Sequence, residues 1–208
     1  SPAAETADFV TVGDWLRHAI TTLHRAPVEF AQGMHGPQEE AMFLVSRFLG
    51  IPTEDLPHFV TARLTPREIA ELRALLERRV ADHVPVPYLV NEAVLQGVSF
   101  YVDDRVLIPR SYIAELIPEE ILLFAGAGWV PQRILDLGTG SGCLAILAAR
   151  AFPSAVVDAV DISEAALEVA ATNVQAHRLE DRVQLICSDL FDHVPPEAYD
   201  LILANPPY

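Results

Sequence analysis

Ile134-Leu135-Asp136-Leu137-Gly138-Thr139-Gly140-Ser141-Gly142-Cys143 reads as a buried strand running into a glycine turn and then a helix. Ile134, Leu135 and Leu137 have strand character, and the residues from Leu144 to Ala151 open a helix whose first N–H groups face the turn. Glycines there let the backbone turn sharply and approach a ligand closely, as a nucleotide-like molecule requires. The spacing discriminates among nucleotides. A dinucleotide fingerprint counted from Gly138 wants Gly or Ala at 143, where the chain has Cys143. A phosphate loop wants a Lys-Ser/Thr pair, and the sequence contains no lysine.

From 132 onward, strand and helix patterns alternate, which implies right-handed parallel βαβ units. Strands are expected at Arg133–Leu137, Ala155–Val160, Val183–Cys187 and Tyr199–Ala204, with helices at Cys143–Phe152 and Glu164–His177. The fold class is therefore α/β. Asp136 to Gly142, acid-x-Gly-x-Gly-x-Gly, resembles the first motif of Rossmann-like methyltransferases that bind S-adenosylmethionine. A glycine turn without a ligand is the alternative reading.

Upstream lies a small helical domain. Val12, Trp15, Leu16, Ala19, Ile20 and Leu23 recur at helical spacing, with Thr11 as N-cap. A second helix starts near Pro37 and is stopped by Gly50-Ile51-Pro52, and Thr65 with Glu68 opens a third as a capping box. Trp15, Met42 and Phe48 are assigned to its core. Val84 to Leu89 is expected to be extended because of its prolines, and Val94–Val98 with Ser99–Leu107 to form a hairpin. Ser111 is expected to cap a helix from Tyr112 to about Phe124, broken or restarted at Pro118. The domain reading is 1–90 helical and substrate-recognising, 91–110 a β-hairpin linker, and 111–208 the Rossmann-like part. Residues 1–8 are small and polar and are expected to be disordered.

Twenty-nine acids against 14 basic residues give −15. Residues 1–110 carry 15 acids and 10 Arg, while 111–208 carry 14 acids and 4 Arg. Nucleic-acid binding needs a basic footprint, so this balance argues against DNA as substrate and suits a basic protein partner; solubility is the alternative reason for it. No apolar run approaches the ~18 to 20 residues that span a bilayer, and the amino-terminal residues have no signal-peptide pattern, so no membrane role and a cytoplasmic location are expected. Cys143 and Cys187 are too few for a disulfide framework or zinc spacing and are expected to be reduced, buried thiols. His18, His24, His35, His58 and His83 lack paired metal spacing, so no metal is assigned.

Two acids occupy strand-end positions. Asp161 ends the second strand, where an acid accepts from ribose hydroxyls; the alternative is a helix N-terminal acid beside Ser163. Ser188-Asp189-Leu190 ends the third, where Asp189 would meet an adenine amino group and Leu190 its ring, or simply form a turn. Asp158, inside the second strand, is expected to be solvated or capped.

The fourth strand delivers Asn205-Pro206-Pro207-Tyr208. Consecutive prolines fix the backbone and leave carbonyls as acceptors. The Asn205 side-chain carbonyl and the Pro206 backbone carbonyl can each take one N–H of a substrate –NH2, and Tyr208 can stack on the planar group. An amide or aromatic amine is a poor nucleophile because its lone pair is delocalised, so two acceptors plus a face contact would orient that lone pair for in-line displacement.

This tetrapeptide is shared by adenine-amino DNA methyltransferases and glutamine-amide protein methyltransferases. Phe100 to Ser111 (F-Y-V-D-D-R-V-L-I-P-R-S), Asp136 to Cys143, Val157 to Ser163 and Ser188 to Phe191 closely resemble the protein N5-glutamine methyltransferases. With Pro87-Tyr88-Leu89 upstream, the F-Y-V-D-D-R-V-L-I-P-R-S run is similar to the branch that acts on ribosomal protein uL3 rather than on release factors. The resemblance implies that Asp136, Gly138, Thr139, Gly140, Ser141, Gly142 and Asp161 bind S-adenosylmethionine, with Asp189 and Leu190 around the adenine. It implies that Asn205, Pro206, Pro207 and Tyr208 hold a glutamine amide of uL3. Pro109 and Arg110 match a segment near the active-site entrance. The family continues past this tetrapeptide with further strands, so the chain is expected to be part of a longer protein. The alternatives left open are a release-factor glutamine enzyme, an adenine-amino nucleic-acid enzyme, and a non-catalytic ribosome-assembly module.

Overall fold

The computed structural model describes residues 10–30, 34–117, 126 and 128–205. The expectations for residues 1–8, for Pro118 to Phe124 and for Pro206, Pro207 and Tyr208 lie outside these. The chain divides into two compact units, 1–90 and 91–208.

The first unit is helical. Helix α1 (Val12–Arg25) starts in a reciprocal cap: the Asp14 amide donates to Thr11 Oγ1, and the Thr11 amide donates to Asp14 Oδ2. Helix α2 (Pro37–Leu49) opens on proline and stops at Gly50, whose φ of +67° gives the left-handed C-cap. Helix α3 (Pro66–Ala81) repeats the capping box with Thr65 and Glu68. Their apolar stripes meet around Trp15, Leu23, Ala41, Val45 and Leu72, all buried, while Met42 and Phe48 pack at the margin. Glu40 and Arg79 are buried in the same unit as an ion pair, and Arg79 also donates to the Glu29 carbonyl at 2.8 Å.

One expectation fails here. Val86–Val90 is a short helix, α4, rather than an extended segment. Its amides at Tyr88 and Leu89 both donate to the Pro85 carbonyl. Prolines at 85 and 87 therefore fall at the helix start, where a missing N–H removes no intrahelical bond.

The second unit begins with a hairpin of β1 (Ala93–Leu95) and β2 (Val98–Phe100), turning through Gln96 and Gly97, both with positive φ. The second strand stops at Phe100, short of the Leu107 expected from its sequence, because the Tyr101 backbone is taken by a side chain, described below. A short helix, α5 (Ile113–Leu116), follows, its Ile113 amide donating to Ser111 Oγ at 3.1 Å.

Strand β3 (Arg133–Leu137), helix α6 (Cys143–Ala151), strand β4 (Val156–Asp161), helix α7 (Glu164–Ala176), strand β5 (Val183–Cys187) and strand β6 (Leu201–Ala204) complete the unit. The sheet is parallel in the order β5-β4-β3-β6. β3 is central because its residues from Ile134 to Leu137 are buried on both faces. Cys143 to Ala149 of α6 are buried without interruption, and Arg182 terminates that helix by donating to the carbonyls of Ala149 at 2.7 Å and Pro153 at 3.0 Å. The order reverses direction at β3: β4 and β5 lie on one side and β6 on the other. In such sheets the crevice beyond the carboxyl ends at this switch point receives ligands.

Of the two readings for Asp158, solvated or capped, the structure selects the second: it is 2% exposed, and its Oδ2 accepts from the Arg133 guanidinium at 2.9 Å and the Tyr199 hydroxyl at 2.7 Å. One further expectation is corrected. Cys187 is exposed rather than buried, because it closes β5 at the sheet's carboxyl edge. Cys143 is buried, and loss of solvent pushes its thiol up to about 12.

Candidate active site

The glycine turn is built on hydrogen bonds from its own backbone. The amides of Gly138 and Thr139 both donate to the Val160 carbonyl, at 2.9 and 2.8 Å, tying the turn to the end of β4. The Gly140 amide donates to Asp161 Oδ2 at 2.8 Å, and the Ser163 amide donates to Asp161 Oδ1 at 3.0 Å. Asp161 thus joins the turn to the start of α7, which Ser163 caps by accepting from the Ala166 amide. Each carboxylate oxygen retains a further acceptor position.

Gly138 and Gly140 have φ of +71° and +54°, and nothing lies within 4 Å of where a Cβ would stand on either. The outer face of the turn is open. Gly142 differs: a Cβ there would lie 3.2 Å from the Ala170 Cβ, so this glycine permits close packing of α6 on α7. Ser141 lies between them, its carbonyl accepting from Asn173 Nδ2 at 2.8 Å.

Asp136 sits beneath the turn at 1% exposure, with Oδ2 accepting from the Thr139 hydroxyl at 2.6 Å. Its Oδ1 is buried and makes no hydrogen bond of ordinary geometry. Burial raises the carboxyl to about 6, against the opposing pull of the Thr139 hydroxyl and the Ala145 amide.

Two apolar side chains flank this edge. Ile162, directly after Asp161, is 68% exposed, and Leu190 is 60% exposed with a φ of +47°. The pairing of Asp161 with Cys187, and the bond from the Ser188 amide to the Asp161 carbonyl, bring their segments together. Asp189 is exposed. Its carbonyl accepts from the Asp192 amide, while Ser188 Oγ accepts from the His193 amide at 2.9 Å, so the segment is also a turn.

On the other side of β3, Leu137 pairs with Ala204. Asn205 therefore lies one residue beyond the sheet, beside Gly138. Its Nδ2 donates to the Arg110 carbonyl at 2.9 Å. Pro206, Pro207 and Tyr208 lie outside the described residues.

Sequence reasoning missed Asn173. It is 1% exposed, accepts from the Tyr101 amide at 2.7 Å, and donates to the carbonyls of Tyr101 at 2.9 Å and Ser141 at 2.8 Å. The available signal is an amide residue on the buried face of a helix that otherwise presents Val169, Ala170 and Val174. Ile162 was likewise not singled out.

An open glycine turn, an acid bound to it and an asparagine on the neighbouring strand end form the carboxyl edge of a methyltransferase-type sheet. Residues 121–208 match the family model "Methyltransferase small domain", and residues 14–90 match "PrmC N-terminal domain". The chain is 46% identical over 201 residues to the ribosomal protein uL3 glutamine methyltransferase of Bordetella pertussis, covering 97% of this chain and 67% of that protein. It is 45% identical to the protein of the same name from Bradyrhizobium diazoefficiens, covering 97% and 65%, and 43% identical to that from Burkholderia pseudomallei, covering 96% and 67%. The chain belongs to the ribosomal protein uL3 glutamine methyltransferase family. It spans about two thirds of the length of these curated relatives.

Proposed function

We propose that the full-length protein transfers a methyl group from S-adenosylmethionine to the side-chain amide nitrogen of a glutamine in ribosomal protein uL3. The observation that carries this reading is the pairing of Leu137 with Ala204, which sets Asn205 next to the glycine turn. An acceptor for a substrate –NH2 and a cradle for a methyl donor are thereby neighbours. The relatives' names supply the protein substrate.

The residues fit the donor. The open faces of Gly138 and Gly140 admit a ligand against the backbone, and the exposed Ile162 and Leu190 are apolar walls that gain by being covered. Asp161 has acceptor capacity for ribose hydroxyls beyond the Gly140 and Ser163 amides it already takes. In this reading Gly138, Thr139, Gly140, Ser141, Gly142, Asp136 and Asp161 hold the donor, with Asp189 and Leu190 beside its base. When bound, S-adenosylmethionine supplies an electrophilic methyl on a sulfonium centre.

The chain's own part is orientation. Asn205 Oδ1 accepts one N–H of the glutamine amide, the Pro206 carbonyl accepts the other, and Tyr208 contacts its face. Held by both hydrogens, the nitrogen presents its π-face lone pair along the line of transfer, and its proton leaves to solvent afterwards. No general base is needed. No helix among the described residues is long and apolar enough to cross a membrane. A ribosomal-protein substrate would place the reaction in the cytoplasm, and the net charge of −15 favours encounter with a basic partner.

The test is intact-mass analysis of uL3 and, separately, of a release factor, each incubated with full-length protein and S-adenosylmethionine. A single methyl added to a uL3 glutamine, absent with Asn205→Ala, is expected. Methylation of the release factor alone, or of neither, overturns the reading.

A further inference from the structure

A free asparagine carboxamide can present its oxygen or its NH2 to a ligand by a half-turn, with little difference in energy. At Asn205 the choice is made by the backbone. Its facing partner is the Arg110 carbonyl, which has lone pairs and no proton, so only the NH2 end can meet it, at 2.9 Å. We propose that the Arg110 carbonyl is the positioning group of the site, locking Asn205 so that Oδ1 alone meets the substrate.

That carbonyl is a fixed point because the segment bearing it is anchored along its length. At its start the Tyr101 backbone is held by Asn173. Arg105 then donates to Asp103 and, at 2.7 Å, to Glu168 of α7, pinning the loop to that helix. Val102, Val106 and Ile108 are buried, and Pro109 fixes φ immediately before Arg110. At its end Ser111 accepts from the Ile113 amide.

The consequence is selectivity for donors, and it rests on the function proposed above. A glutamine amide brings two N–H groups to Oδ1 and its neighbours. A glutamate at the same place is ionised and acceptor-only, and reversal of Asn205 to receive it would set Oδ1 against the Arg110 carbonyl. The Arg110 contact therefore excludes glutamate as well as admitting glutamine.

Asn205→Asp in the full-length protein tests this. A carboxylate accepts from –NH2 as well as an amide does, so its only liability is the oxygen turned towards Arg110. When protonated, that oxygen becomes a donor and restores the contact. The carboxyl introduced by this substitution, followed by 13C NMR without substrate, is expected to titrate about one unit above the ordinary aspartate value of about 3.9. Methylation of a uL3 glutamine peptide by Asn205→Asp, as a ratio to wild type, is expected to rise at least tenfold between pH 8 and pH 5.5, as the protonated fraction climbs from about 0.1% to about 20%, whereas Asn205→Ala shows no rise. Titration of Asp136, common to both proteins, cancels in these ratios. A carboxyl titrating at or below the ordinary value, or a flat Asn205→Asp ratio, overturns the proposal. If wild type methylates no glutamine substrate, the proposed function fails while the carboxyl titration still decides the Arg110 contact. Should Asn205→Asp not fold, the 15N-labelled side-chain amide of wild-type Asn205 decides instead. One downfield, exchange-protected proton supports the lock, and two freely exchanging protons overturn it.

Discussion

Asn173 closes a two-way hydrogen bond with the backbone of Tyr101 and reaches from the same Nδ2 to the Ser141 carbonyl. One buried side chain thus joins the segment that carries Arg110 to the turn proposed to hold the methyl donor. Removal of the amide in Asn173→Leu strands the Tyr101 N–H and the Ser141 carbonyl away from water. A loss of about 2–4 kcal/mol in stability is expected, read from urea denaturation. Loss of S-adenosylmethionine affinity by calorimetry, without urea at a temperature where the variant remains folded, separates positioning from simple destabilisation. Affinity equal to wild type there would leave Asn173 a structural residue only.

Asp136 supplies a pH signature. Its carboxyl is raised in the folded protein to about 6, so the ionised form is disfavoured by folding. The associated stability is fully present below the unfolded value near 3.8 and is lost as pH rises through about 6. Asp136→Asn keeps an acceptor for the Thr139 hydroxyl and removes the titration. The variant is expected to gain up to about 3 kcal/mol relative to wild type between pH 4 and pH 7.5. Denaturation midpoints that track each other across this range would contradict the assignment.

Gly142 is constrained twice, by a φ of +80° and by the Ala170 Cβ at 3.2 Å from any Cβ placed there. Gly142→Ala is expected to destabilise by about 2–3 kcal/mol, the left-handed backbone accounting for about 1–2 of it. Adding Ala170→Gly relieves the contact but not the backbone, and itself costs about 1 kcal/mol in a helix interior. The double variant should therefore be less destabilised than the sum of the singles; strict additivity in a double-mutant cycle would sink the argument.

The buried Glu40–Arg79 pair in the amino-terminal unit holds its own lesson. Glu40→Leu leaves the Arg79 guanidinium without its carboxylate and is expected to destabilise that unit by about 3–5 kcal/mol. Glu40→Leu combined with Arg79→Met is expected to return most of this, since two apolar chains fill the space without a buried charge. Thermal unfolding of the three proteins at one pH checks the order.

Periodicity makes β3, β5, α2, the Thr11 N-cap and the Thr65–Glu68 capping box legible, because in each the apolar spacing and the end signals agree; that Asp14 answers Thr11 reciprocally is not read from the sequence. It misreads Val86–Val90, where the prolines suggest an extended segment although their place at the first turn is compatible with helix. It also carries the second hairpin strand past Phe100, because nothing local in Tyr101-Val102-Asp103 shows that a side chain seventy-two residues away occupies the backbone. The acids and glycines of the site are legible from strand-end spacing. What binds them to one another is not: Asp161 reaching Gly140, and Asn205 reaching Arg110, depend on which strand lies beside which.

The strand order also has a meaning in time. β3, β4 and β5 follow one another directly through α6 and α7, so the turn and Asp161 are assembled from near neighbours in the chain. β6 pairs with β3 only after the intervening elements have been passed, and Asn205 arrives with it. Short-range closure loses less chain entropy than long-range closure. The glycine turn and Asp161 should therefore form before Asn205 is in place, with pulse-labelled amides of β3 to β5 protected ahead of those in β6. On the function proposed above, such an order gives the growing polypeptide a means of holding its small ligand before it can do anything with it.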